Sequence, residues 1–374
     1  MLKVLFIEDQ PDSIKPIVKS LNRNRGDHEY EIKDFSEAAN AIETFYPDII
    51  VLDLLAGGST PEPETPGLDT YDVIWNARFC PIIVYSAHPD VLTNDKGSHP
   101  FVKIVQKGRY GSRQVKAAIT DLMPQVEALR QAEQHIRKEF ALALRDVAPY
   151  AFKTFSGSAK VSERNEMVIR AGRRRLAAQM DGLSRSGQEL VSWEQYLWPP
   201  ICADLLLGDV LHEVGHPSED PNCFRIVITP SCDLVASNGR SPKVKSVLVA
   251  RCHTIKKGIQ GTSLGNIGAS KLKGKLQSDI LTHGFFETIL PFPELPERIP
   301  HMVADLRDLE LIPFEQIVGS NIRFERVASI DSPFRELVSW AYMQIACRPG
   351  MPDRDFKGWC QGIMSGYEKG NESS

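Results

Sequence analysis

The chain has 374 residues, a formal net charge of −4 and 42% hydrophobic residues. That is an ordinary soluble composition, long enough for two or three domains at roughly 100–200 residues each. The slightly acidic balance gives no global argument for nucleic-acid binding. No segment approaches the roughly 18 consecutive apolar residues of a membrane span, and acidic Glu8 and Asp9 arrive too early for a signal peptide. A cytoplasmic protein without a membrane partner is expected. The seven cysteines (Cys80, Cys202, Cys223, Cys232, Cys252, Cys347 and Cys360) are scattered and form no CxxC pair, so reduced thiols are expected.

Residues 3–7 form an apolar run that ends in Glu8-Asp9, the pattern of a buried parallel strand. Residues 13–21 carry Ile14, Ile17, Val18 and Leu21 on one helical stripe. Residues 30–33 alternate like a strand, and 36–45 read as a helix with Ser36 as its N-cap. Residues 48–53 form a third strand ending in Asp53. A helix over 68–77 follows, then strands over 81–86 and 102–106, then a helix over 112–129. This alternation predicts an α/β domain over residues 1–125, a doubly wound five-stranded parallel sheet of the flavodoxin-like kind. Glu8, Asp9, Asp53, Ser86 and Lys107 all fall at carboxyl ends of strands, where such sheets do their chemistry.

Residues 126–192 read as a helical connector. Leu129, Ile136, Phe140 and Leu144 mark a long helix that connects domains or pairs with a second chain as a homodimer. Residues 155–165 look like a loop, and 166–180 like a basic amphipathic helix. From about Trp193 the texture changes to short strands, Gly and Pro. Residues 193–365 are expected to form a mixed α+β output domain with a small β-barrel-like core, and 366–374 a disordered tail.

The placed set Glu8-Asp9, Asp53, Ser86 and Lys107 resembles the CheY-type receiver family of response regulators, over about a third of the chain. The resemblance implies Mg²⁺-dependent phosphoryl transfer from a histidine kinase to Asp53. A carboxylate attacks a phosphoryl group poorly because both are negative, and a divalent cation offsets the repulsion. Glu8, Asp9 and Asp53 can supply carboxylates for Mg²⁺, with the Leu55 carbonyl beside them. Lys107 would pair with the acceptor and then with the phosphate, and Ser86 would donate to a phosphate oxygen. Three features depart from the family pattern. The acceptor is followed by Leu54-Leu55-Ala56-Gly57-Gly58 without the usual proline, and a Pro/Glu-rich insertion occupies 59–66. Ile104 stands where an aromatic residue is usual. Gly108, not proline, follows Lys107. A receiver used only as a docking scaffold is the alternative these departures raise.

In the second domain, His212-Glu213-Val214-Gly215-His216 matches the zinc motif HExxH. On a helix this would make a zinc hydrolase site with Glu213 as general base. Gly215 and Pro217 argue instead for a hairpin, with a strand from Val210, a turn over 215–222 and a return strand from Cys223. The segment from Gly208-Asp209 to Val247-Leu248-Val249-Ala250 faintly resembles the small barrel of the PemK/MazF-type toxins, which are ribonucleases. Cys232-Asp233 and Cys252-His253 could meet across strands as a thiol/imidazole site, or be a buried cysteine beside a capping aspartate. Basic stretches over 170–185 and 256–275 could track a phosphate backbone or be solvated faces. A receiver-gated effector enzyme, nuclease or zinc hydrolase, is therefore the rival to a plain response regulator.

Overall fold

The computed structural model describes residues 1–21, 28–56, 65–92, 94–154, 161–183, 189–200, 202–236, 241–348 and 352–371. The insertion expected over 59–66 lies almost wholly outside them. The chain divides into two compact units, Met1–Gly187 and Gln188–Ser374.

In the first unit five strands pair in parallel: β1 (Leu2–Ile7), β2 (His28–Lys33), β3 (Ile49–Leu52), β4 (Ile82–Ser86) and β5 (Val102–Gln106). Their order is β2-β1-β3-β4-β5. Between them run α1 (Pro11–Leu21), α2 (Ala38–Phe45), α3 (Pro66–Ala77), α4 (Asn94–Gly97) and, after β5, α5 (Gly111–Asp121). The central strands are apolar on both faces because both are covered. Val4, Phe6, Ile49, Val51, Ile83 and Tyr85 pack with Ile14 and Ile17 of α1 and Val115 and Ile119 of α5. Leu5, Ile7, Ile50, Leu52, Ile82 and Val84 pack with Ile42 of α2 and Tyr71 and Ile74 of α3. The doubly wound five-stranded sheet is thus as the apolar runs require.

Two helices complete this unit, α6 (Met123–Thr154) and α7 (Val161–Leu183). Arg130 ties α6 to the amino ends of the strands, donating to Asp48 Oδ1 at 2.6 Å and to the Met1 carbonyl at 2.8 Å. The two helices run antiparallel. Arg175 pairs with Asp146 at 2.9 Å, and Arg164 lies 4.4 Å from the Phe152 ring centre. Helix α7 begins at Val161, inside the segment expected to be loop.

The second unit is a seven-stranded antiparallel sheet in the order β10-β11-β9-β8-β7-β12-β6. Its strands are β6 (Tyr196–Leu197), β7 (Asp209–Glu213), β8 (Phe224–Val227), β9 (Ser246–His253), β10 (Ile289–Phe292), β11 (Met302–Pro313) and β12 (Phe324–Ile330). It carries α8 (Ser231–Leu234), α9 (Ile255–Gln260), α10 (Ala269–Lys275), α11 (Phe334–Ala346) and α12 (Phe356–Asn371). One face packs Phe224, Ile226, Ala250, Cys252 and Ala304 against Val338 and Ala341 of α11. The other packs Leu211, Val227, Val247, Val249, Ile312 and Phe324. The backbone stays helical to Asn371, where the polar sequence suggested a disordered tail from residue 366. Among the described residues no helix is long and apolar enough to cross a membrane.

Asp209, at the start of β7, is fully buried and anchors the preceding loop to β12. It accepts hydrogen bonds from Ser329 Oγ at 2.6 Å, the Leu206 amide at 2.7 Å and Arg326 Nη1 at 3.3 Å. Burial pushes its carboxyl pKa up despite these partners. Asp209→Ala should cost about 3–5 kcal/mol, because it strands the half-buried Arg326 without its carboxylate. Guanidinium unfolding of the full chain, followed by tryptophan fluorescence, measures this; Asp209→Asn should lose less.

Candidate functional site

The strand order brings the carboxyl ends of β1 and β3 side by side at the topological switch point. Ladder hydrogen bonds continue past the strand ends and fix the residues that follow. The Asp53 amide donates to the Ile7 carbonyl at 3.0 Å, the Glu8 amide to the Lys33 carbonyl at 2.9 Å, and the Lys107 amide to the Ser86 carbonyl at 2.9 Å. Residues far apart in sequence are thereby delivered to one pocket.

Asp53 is 6% exposed and Glu8 3%. Asp53 Oδ1 accepts from the Leu54 amide at 2.8 Å and, at 3.4 Å, from the Leu55 amide. Its other oxygen takes Lys107 Nζ at 2.7 Å. The same ammonium reaches Glu8 Oε2 at 2.6 Å. Burial raises the Glu8 pKa, and the nearby Asp53 charge adds to this against the pull of Lys107. Burial also pulls the Lys107 pKa down, but its bonds to Asp53 and Glu8 outweigh that and hold it above the ordinary lysine value. The Ser86 hydroxyl is fully buried and makes no hydrogen bond among the described residues.

Oxygens of Glu8, Asp9 and Asp53 lie within 4.8 Å of one another. This all-carboxylate set fits a hard divalent cation such as Mg²⁺, which prefers oxygen. Leu55 is buried beside Asp53 with its amide turned to that carboxylate. Gly67 lets α3 start directly over this loop. A Cβ there would lie 2.2 Å from the Asp53 carbonyl oxygen and 2.4 Å from Leu54 Cα, so no larger residue fits without moving the acceptor.

The second-domain expectations are partly corrected. His212 and Glu213 lie on strand β7, not on a helix, and Gly215 turns the chain with φ +81° before His216. His212 contacts Glu325 Oε1 and the Pro217 carbonyl, both at 3.4 Å, and Glu213 pairs with Arg323 at 2.8 Å. Among the described residues Glu8, Asp9 and Asp53 form the one acid/His/Cys group suited to a metal, so the zinc site is not formed. The hairpin of β7 and β8 is formed. The thiol/imidazole site is not. Neighbours on a strand face opposite ways, so Cys252 is buried in the core while His253 turns to the other face. Cys232 is exposed on α8, and Asp233 pairs with Lys243 at 2.8 Å.

His253 instead joins a network that the sequence did not disclose. It bonds Asp308 Oδ2 at 2.8 Å, and Lys257 Nζ lies 3.1 Å from its Nδ1. Arg225 and Arg251 share Glu310 Oε2, at 2.9 and 3.1 Å. The available signal was an arginine inside each apolar run, Phe224-Arg225-Ile226-Val227 and Val249-Ala250-Arg251-Cys252.

No protein-family model matches the chain, and no curated protein matches it. Solved structures similar to it include the anti-anti-sigma factor PhyR from Bartonella quintana, 25% identical over 35% of this chain and 51% of that one, with a TM-score of 0.28. The response regulator PhyR from Brucella abortus is 25% identical over 36% of this chain and 52% of that one, with a TM-score of 0.28. The N-terminal domain of a response regulator/sensory box/GGDEF 3-domain protein from Carboxydothermus hydrogenoformans is 22% identical over 36% of this chain and 99% of that one, with a TM-score of 0.26. The chain spans about half the length of the PhyR structures it matches.

A raised Glu8 pKa has a definite sign in stability. The folded protein binds that proton more tightly than the unfolded chain, so ionised Glu8 costs stability at neutral pH. The cost is relieved as pH falls through the raised pKa. Metal-free wild type should therefore gain stability relative to Glu8→Gln as pH falls from neutral toward the ordinary carboxylate value; parallel urea melts showing no difference in pH dependence would deny it. Residues 1 to about 125 thus form a doubly wound, flavodoxin-like five-stranded parallel sheet, with Glu8, Asp53 and Lys107 meeting at its carboxyl edge.

Proposed function

We propose that the chain is a two-component response regulator that accepts a phosphoryl group on Asp53 from a histidine kinase. The observation that carries this reading is the Lys107 ammonium shared between Asp53 at 2.7 Å and Glu8 at 2.6 Å, beside Asp9. An Asp53 carboxylate oxygen attacks phosphorus, and the bond from phosphorus to the kinase imidazole nitrogen breaks as the acyl phosphate forms. Lys107 pairs with the acceptor before transfer and with the phosphate after it. The buried Ser86 hydroxyl supplies the donor for a second phosphate oxygen. Glu8, Asp9 and Asp53, with the Leu55 carbonyl, would hold Mg²⁺, whose chemistry is to offset the repulsion between carboxylate and phosphoryl oxygens. The remaining partners follow as part of the proposal: a kinase, a cytoplasmic setting, and an output domain in the second unit.

The test is uptake of phosphate from acetyl phosphate with Mg²⁺, read by intact mass. Wild type should gain one Mg²⁺-dependent adduct and Asp53→Asn none. An equal adduct on Asp53→Asn would make Asp53 the wrong residue. No adduct on wild type would leave the receiver as a docking module.

The network around His253 favours a second reading, that the second unit is an effector nuclease. His253 with Asp308 supplies an acid–base pair, and Arg225, Arg251 and Lys257 supply cations on the same face. Labelled single-stranded RNA or DNA should then be cleaved by wild type and at least tenfold more slowly by His253→Ala. Equal rates for the two proteins would remove this reading.

A further inference from the structure

Tyr85 lies between the acid pocket and the start of α5. It precedes Ser86 on β4 and turns its ring to the α1/α5 face, where it packs with Val115 and Ile119. Its ring centre is 5.7 Å from Lys107 Nζ. On its other side is Gly111, the first residue of α5. A Cβ at Gly111 would lie 2.5 Å from the Tyr85 hydroxyl and 2.9 Å from a ring carbon. The missing side chain at position 111 is what leaves room for the phenol. Burial is the chief cause of a raised Tyr85 pKa; the Lys107 charge opposes it and the Glu8 and Asp53 charges add to it. The pocket's charges therefore reach the ring.

We propose that Tyr85 is a positioning residue for Lys107, its ring holding the lysine where the ammonium meets Asp53 and Glu8, and its seat against Gly111 tying that position to the first turn of α5. The inference rests on Asp53 being the phosphoacceptor. The physical basis is twofold. The face of an aromatic ring attracts an ammonium through its quadrupole. The ring also gives the aliphatic stem of the lysine an apolar wall along which to extend. Lys107 must reach from the end of β5 past β4 to acids on β3 and β1, and the one large side chain of β4 at that level is Tyr85.

The experiment measures the rate of phosphorylation by acetyl phosphate under saturating Mg²⁺ on full-length protein. Tyr85→Leu should slow the maximal rate about two- to fivefold, the size of one cation–π contact, with little change in half-saturating acetyl phosphate. Tyr85→Phe should restore the rate, since it keeps the ring. Gly111→Ala should slow it in the same way, because its Cβ displaces that ring. In wild type the Lys107 ε-methylene protons should show an upfield ring-current shift that Tyr85→Phe keeps. A wild-type rate in Tyr85→Leu, or a Tyr85→Phe as slow as Tyr85→Leu, would overturn the proposal. So would an unshifted Lys107 ε-methylene in wild type, a measurement that needs no variant to fold. Absence of any adduct on wild type would instead bring down the phosphoacceptor reading beneath it.

Discussion

One lysine shared by two buried carboxylates organises the first unit. Glu8 and Asp53 sit almost wholly out of water, where an uncompensated carboxylate costs several kcal/mol. Lys107 offsets both, from 99 and 54 residues away in sequence. That requirement fixes much else. The ends of β1, β3 and β5 must converge, and β4 lies between β3 and β5. The lysine therefore crosses the end of β4, which puts Ser86 and Tyr85 next to its path. Glu8, Asp9 and Asp53 bring their carboxylate oxygens within 4.8 Å of one another, an all-oxygen set of the kind a hard divalent cation prefers.

The polar network of the second unit makes the contrast. There Arg225, Arg251 and Lys257 face Glu310 and Asp308, and His253 sits between a carboxylate and an ammonium. The network's geometry can organise β8, β9 and β11 without any ligand, since two guanidiniums on one carboxylate bridge adjacent strands across the bulge between Asp305 and Leu309.

The first unit was legible because its strands are apolar on both faces and end in charged residues, a pattern that few other arrangements tolerate. Glu8, Asp53 and Lys107 could be placed from strand ends alone. Tyr85, Gly67 and Gly111 could not. Each matters through a close approach between elements, and spacing along the chain carries no trace of that. In the second unit HExxH misled only as a motif. Gly215 and Pro217 forbade the helix, and the hairpin followed from them. Cys232-Asp233 and Cys252-His253 were candidates to meet across strands, but Cys232 is exposed on α8, and Cys252 and His253 face opposite ways on β9. The network around Arg225 joins β8, β9 and β11, whose register only the folded sheet reveals.

The two sides of β5 differ in what they can transmit. On one side Ile104 is 46% exposed and lies against Gly97 of α4, a helix of four residues. On the other side Tyr85 meets Gly111, and α5 continues through Leu122 into the 32 residues of α6, which Arg130 pins back to Asp48. Packed elements respond to a displacement as bodies, because dense interiors deform little. If Asp53 takes a phosphoryl group as proposed, the packed path leading away from Lys107 runs through Tyr85 of β4 to Gly111 of α5.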